Sequence, residues 1–155
     1  MANMNALTEA LDRSGVSYEL LEHERTERAV DEASALGLRA DEVAKTIVVS
    51  TKNGNVRVVL PAAERIDMHK LRDLLEAGKE LHLLTEDELE TGYPGFELGA
   101  VPPLGGPDDA VVVDRRIAER DRVVFEAGTH DHSVGVTASD LVSATGARVA
   151  DVCAD

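Results

Sequence analysis

Apolar residues recur at Ala6, Leu7, Ala10 and Leu11, the spacing of one helical face. Gly15 supplies a stop, so Asn5–Ser14 is predicted as a helix. Residues 16–21 alternate in the manner of a strand. Helical spacing returns over 27–36 through Ala29, Val30, Ala33 and Leu36, ended by Gly37. Residues 45–51 and 55–60 read as two strands around Lys52-Asn53-Gly54, and Asn-Gly in that place is a strong hairpin signal. Asp67 fits the cap of a helix carrying Leu71, Leu74 and Leu75.

Past Gly78 a short strand over 80–83 leads to Thr85-Glu86-Asp87-Glu88, a capping-box pattern opening one or two helical turns that end near Gly92. Glycine and proline dominate 92–109, and loops of that length are usually functional. Residues 110–113, 122–126 and 133–137 read as strands, Thr137 caps a helix over Ala138–Thr145 stopped by Gly146, and 148–152 is a last strand. No repeat, linker or second domain is visible, so 1–155 is expected as a single domain. The expectation is an α+β fold in which a strongly curved sheet, with several antiparallel neighbours, carries helices packed outside.

Composition narrows the class. Hydrophobic residues at 43% and charged residues at 30% fit a globular chain rather than a disordered one. Aromatics are only 3% with no Trp, so the core must be built from Val, Leu, Ala and Ile. No apolar run approaches the roughly 18 residues of a membrane span, and no basic segment followed by an apolar stretch marks a secretory leader. A lone cysteine, Cys153, cannot form an internal disulfide, which favours a reducing cytoplasm. The net charge of −14 is the awkward number, because a polyanionic partner normally asks for a basic patch. Either dense carboxylates hold hydration in a high-salt cytoplasm, the favoured reading, or nucleic acid is contacted only at its extreme end.

Three stretches offer chemistry. Lys45 follows Val43-Ala44 and precedes Ile47-Val48-Val49, placing one cation where an apolar strand emerges from the core. Pulled partly out of water, it would act strongly on a phosphate or a polarised carbonyl; equally, it reads as an edge lysine whose stem covers apolar surface. Pro102 and Pro103 stiffen the second stretch, and Gly99, Gly105 and Gly106 permit close approach. Free N–H donors there come from Gly99, Ala100, Val101, Leu104 and the following glycines. They suit an oxyanion, although a plain rigid connector explains the composition as well. Third is Gly128-Thr129-His130-Asp131-His132, whose alternate histidines face one way on an extended segment. No third ligand lies nearby, so no metal is expected, and one histidine reaching a substrate fits better.

What is missing also informs. There is no Gly-x-Ser-x-Gly elbow, Walker loop or Gly-x-Gly-x-x-Gly. Cys153 is a poor nucleophile candidate, and Glu86, Asp87, Glu88 and Glu90 read as a solvated helix face. No cofactor is implied. Any hydrolysis must lean on positioning and electrostatics, with water or a substrate group as attacker.

In their order and spacing, Val43-Ala44-Lys45-Thr46-Ile47-Val48-Val49 and Gly99-Ala100-Val101-Pro102-Pro103-Leu104-Gly105 resemble the YbaK/prolyl-tRNA editing superfamily, whose members hydrolyse wrongly charged aminoacyl-tRNA. The resemblance covers nearly the whole chain and implies a barrel-like mixed sheet. Lys45 matches the family's functional lysine, and the family's Gly-x-x-x-Pro substrate loop falls on Gly99 and Pro103, with Ala100 and Val101 between. His130 stands where one branch uses a histidine on the substrate. Cysteine-specific members carry a serine and an aspartate in this segment, where this chain has Glu126 and Ser133.

The resemblance implies a trans-acting cytoplasmic deacylase that removes a small mischarged amino acid from tRNA, assisted by the neighbouring ribose hydroxyl. Its expected partners are the 3′ end of aminoacyl-tRNA and, as a candidate, a synthetase; neither membrane nor DNA is expected. Two rivals stand beside it: a non-catalytic adaptor for an aminoacyl end or a synthetase, and a hydrolase of some unrelated small ester or amide.

Overall fold

The computed structural model describes residues 2–155, and most of its helices end at the glycines that the sequence marks as stops. Helix α1 (Asn5–Ser14) stops on Gly15 in the left-handed region, strand β1 (Glu19–Glu22) follows, and α2 (Ala29–Leu36) stops on Gly37 in the same way. A short 3₁₀ turn at Ala40–Glu42 precedes β2 (Ala44–Thr51), β3 (Gly54–Pro61) and α3 (Met68–Leu75). Asp67 caps α3 by accepting from the backbone N–H groups of His69 and Lys70. Next come β4 (His82–Leu83) and α4 (Glu86–Gly92), the latter opened by both halves of the Thr85–Glu88 capping box. The chain closes with β5 (Ala110–Asp114), α5 (Arg115–Ala118), β6 (Arg122–Glu126), β7 (His132–Thr137), α6 (Ala138–Thr145) and β8 (Arg148–Ala150).

The strands divide between two sheets. One is antiparallel in the order β1-β7-β6; the other is mixed in the order β4-β2-β3-β5-β8. In the second, β2 pairs antiparallel with β3 and β4, while β3–β5 and β5–β8 are parallel. The α+β class and the mixed sheet therefore hold, but the expected strong, barrel-like curvature does not. Neither sheet closes or curls strongly. Closure requires an unbroken ladder in which every strand has two neighbours, whereas β1, β4 and β8 each have one. These strands are only four, two and three residues long, too short to carry a ladder round. Among the described residues the one backbone bridge linking the sheets joins Val43, just before β2, to Val124 of β6.

Valine and leucine fill the interior, as a chain poor in aromatics requires. Val59, Val111 and Val113 on one face of the larger sheet pack with Leu7 and Leu11 of α1, Ile117, Leu141 and the smaller sheet's Val123, Phe125, Val134 and Val136. The opposite face carries Val56, Val58 and Val112 against Leu71 of α3 and Leu81. Being covered on both faces, β3 is buried from Val56 to Pro61, with Arg57 enclosed among apolar neighbours. Cys153 is fully buried, and desolvation pushes its thiol up to about 12, leaving an inert side chain.

Candidate active site

The long loop between α4 and β5 owes its shape to Arg57. Its guanidinium donates to the carbonyls of Pro102 (2.9 Å), Gly105 (2.7 Å) and Pro107 (3.0 Å), and to the Asp109 carboxylate (2.9 Å). Tyr93 lies under the same guanidinium, 5.2 Å from ring centre to Cζ, and its hydroxyl donates to Asp109 at 2.5 Å. Proline rings alone would stiffen two residues; the arginine fork fixes the whole turn. Gly105 (φ 97°) is needed for contact with α1 rather than with a ligand, because a Cβ there would sit 2.8 Å from the Ala6 carbonyl oxygen.

A cavity of about 580 Å³ opens between this loop, the start of β2, the end of β6 and the segment leading into α2. Lys45, Gly99, Ala100 and Val101 line it together. Pro103 does not; it borders a separate hollow on the loop's other side, with Arg57 and α1. His130 also lies outside the lining. It is 2% exposed, and its ring sits behind Gly99. The alternate histidines do not converge: His132 is held by Thr129 and Asp131, while His130 bonds Glu126 and the Leu98 carbonyl.

Lys45 is the half-buried second residue of β2. Its ammonium makes no hydrogen bond or ion pair among the described residues. Burial lowers its pKa, opposed in part by Glu64. In the loop, the Ala100 N–H is taken by the Glu97 carbonyl at 2.9 Å, while the Gly99 and Val101 N–H groups have no acceptor among the described residues. The sequence's candidate donors thus narrow to two amides. Small side chains (Ala44, Ala62, Ala63) border the space, with Phe125 closing it.

Two buried acids lie on the side of α2 and β6. Glu126, on the cavity wall, is pushed up to about 9 by burial and then by Glu32, Glu97 and Glu27. Glu32 is fully buried in α2 and is pushed up to about 7 by burial, against a hydrogen bond to Ser133. Ser133 in turn meets His23 Nε2 at 2.8 Å. The sequence reading passed over Arg57 and Glu32, although both carry a visible signal. Arg57 interrupts Val56-Arg57-Val58-Val59-Leu60, and Glu32 falls on the helix face of Ala29 and Leu36.

No curated protein sequence matches the chain. Among solved structures, the hypothetical protein APE2540 is 28% identical with a TM-score of 0.87, covering 96% of this chain and 99% of its own. A candidate trans-editing enzyme for prolyl tRNA synthetase is 24% identical with a TM-score of 0.88, covering 98% and 97%. The family model for the aminoacyl-tRNA editing domain matches residues 23–144. Since that span contains every residue lining the cavity and six of the eight strands, the chain belongs to the aminoacyl-tRNA editing domain family.

Proposed function

We propose that this protein is a trans-acting deacylase that hydrolyses the ester between a small mischarged amino acid and the 3′ end of tRNA. The observation that carries the reading is that an unpaired, half-buried Lys45 and two residues with unpartnered loop amides line one cavity. In this reading Lys45 holds the terminal phosphate or polarises the ester carbonyl, and the Gly99 and Val101 amides receive the oxyanion. One such donor is worth about 3 kcal/mol of barrier in a preorganised site. Pro103 shapes the loop from behind, Ala100 packs beneath it, and His130 acts through the loop rather than on the substrate.

Among the described residues the cavity lining holds no serine, cysteine or histidine, and Thr46 supplies its one hydroxyl side chain. In this reading water is the attacker, directed by the ribose hydroxyl beside the ester, with no covalent acyl-enzyme. Alanine-walled space favours a small side chain, with discrimination of only about 1–3 kcal/mol per methylene. We read the chain as one editing domain working in the cytoplasm, where a lone buried thiol is at home. The shared architecture of the candidate trans-editing enzyme makes tRNA(Pro) the first tRNA to try, and a synthetase a candidate partner.

The test is deacylation of Ala-, Ser- and Cys-tRNA(Pro) at low and high salt by wild type and Lys45→Ala. Selective turnover that collapses in the variant is the expected result. Absence of turnover on every substrate by folded protein would overturn the reading, and retained aminoacyl-tRNA binding in that case would identify an adaptor.

A further inference from the structure

The cavity loop is held at its other end by a buried pair. His130 Nε2 meets the Leu98 carbonyl at 2.6 Å, His130 Nδ1 meets Glu126 Oε2 at 2.9 Å, and the His130 backbone N–H donates to Glu97 at 2.6 Å. A carbonyl only accepts, so Nε2 carries a proton. Nδ1 then either accepts from a carboxylic acid or, as part of an imidazolium, donates to a carboxylate. The ring is 2% exposed and Glu126 is 8% exposed, so the second arrangement buries a separated pair of charges, which is costly. Facing Glu126 are Glu32 from α2, Glu27 and Arg25 from the segment before it, and Glu97 from the loop, three acids against one cation. Glu27 also stands 3.8 Å from His130 Nε2, and Lys45 lines the same cavity as Glu126, each two residues beyond the parallel Val43–Val124 bridge, without an ion pair between them.

We propose that Glu126 is a positioning residue that works as a neutral acid: its O–H donates to His130 Nδ1, fixes the Nε2–H tautomer, and through the Leu98 carbonyl sets the Gly99–Val101 edge of the cavity. The upward push on the Glu126 carboxyl keeps the proton in place through neutral pH. Only the kinetic arm of the test rests on the deacylase reading.

Nitrogen NMR of the wild-type imidazoles at pH 7 is the first arm. One protonated and one bare ring nitrogen for His130 is the expected result; two protonated nitrogens would overturn the proposal whether or not the protein hydrolyses anything. The second arm is kinetic. Glu126→Gln keeps a neutral donor to Nδ1, so at pH 7 kcat/KM is expected within about threefold of wild type. Its alkaline decline, left to Lys45 alone, should come later than that of wild type, which also loses the Glu126 proton at about 9. Glu126→Ala is expected to lose on the order of 10-fold to 100-fold, the cost of a misplaced site, and to speed hydrogen exchange at Gly99 and Val101. If Gln loses as much as Ala, the ionised carboxylate is the working form and the proposal falls.

Discussion

The Arg57 guanidinium reaches from the middle of a buried strand to the Pro102 carbonyl, 2.9 Å away and forty-five positions along the chain. Arg57 is 1% exposed, and every nitrogen of its fork has an acceptor in the loop. A loop rich in proline and glycine has few N–H groups of its own with which to brace itself, so its carbonyls are braced from beneath.

Arg57→Lys tests this. A lysine keeps the charge but offers a point donor instead of a planar fork, leaving some of the three carbonyls unsatisfied in the interior. We expect a loss of about 2–4 kcal/mol in urea unfolding. A midpoint unchanged from wild type would show that the loop holds its shape without the arginine.

Lys45 is placed at a cost to stability. Its folded pKa lies below its unfolded one, because burial disfavours the charge. The unfolded chain therefore binds more protons in the window just below the ordinary lysine pKa, and stability rises with pH there. Lys45→Met removes the desolvated charge and keeps the apolar stem, so it is expected to abolish deacylation while raising Tm by about 1–3 °C. A fall in Tm at neutral pH would mean that the ammonium contributes to folding rather than to function.

These two residues show what a pattern of side chains can and cannot reveal. Lys45 and the Gly99 loop were legible because each breaks its local pattern: a cation at the head of an apolar strand, and prolines flanked by glycines. Arg57 broke its pattern too, but three of the four groups it donates to are backbone carbonyls, which leave no trace in side-chain identity. His130 was visible as a residue, yet not its place behind the loop, which depends on Glu126 and the Leu98 carbonyl. Most strands were legible and their division was not. Alternation tells which face is buried, not which strand lies alongside, and β1 pairs with β7 from the far end of the chain, Glu19 opposite Gly135. Helix α5, at four residues, is too short for any period.

Glu32 should give folding a pH dependence of its own. Its carboxyl is pushed up to about 7, so at low pH both folded and unfolded states hold the proton. Above the ordinary carboxylate range the unfolded state ionises first, and stability falls as pH rises through about 7. Glu32→Gln, whose amide oxygen can still accept from Ser133, is expected to be more stable than wild type at pH 8 by on the order of 2 kcal/mol. At pH 4 the advantage should vanish. Equal stability of the two proteins at both pH values in chemical denaturation would show that Glu32 is ionised without penalty.

Two glycines of one loop should respond differently to alanine. At Gly99 (φ 83°) a Cβ meets only the His130 ring, at 3.5 Å, so strain in the left-handed region is the main cost, about 1 kcal/mol. At Gly105 (φ 97°) the same Cβ lies 2.8 Å from the Ala6 oxygen and 2.9 Å from the Leu7 nitrogen, both backbone atoms of α1. Gly105→Ala is expected to cost about 2–4 kcal/mol, strain and overpacking together. Urea midpoints for the two variants check the order, and a larger loss at Gly99 would contradict this account of the loop.

Salt should stabilise the fold. Thirty acidic residues against sixteen basic ones leave a surplus of fourteen negative charges. Exposed pairs such as Arg122–Glu19 (2.7 Å) and Arg28–Asp31 (2.9 Å) are already weakened by the surrounding water, so screening them forfeits little. Screening the surplus gains more, since the Debye length shrinks from about 10 Å at 0.1 M to about 3 Å at 1 M. We expect Tm to climb steadily between 0.1 and 1 M KCl. Substrate affinity is a separate readout of the same field: if only the acceptor end of tRNA is gripped, few counterions are released and KM should rise shallowly with salt. A falling Tm would show that the ion pairs outweigh the repulsion, and a steep KM slope would point to phosphate contacts well beyond the cavity.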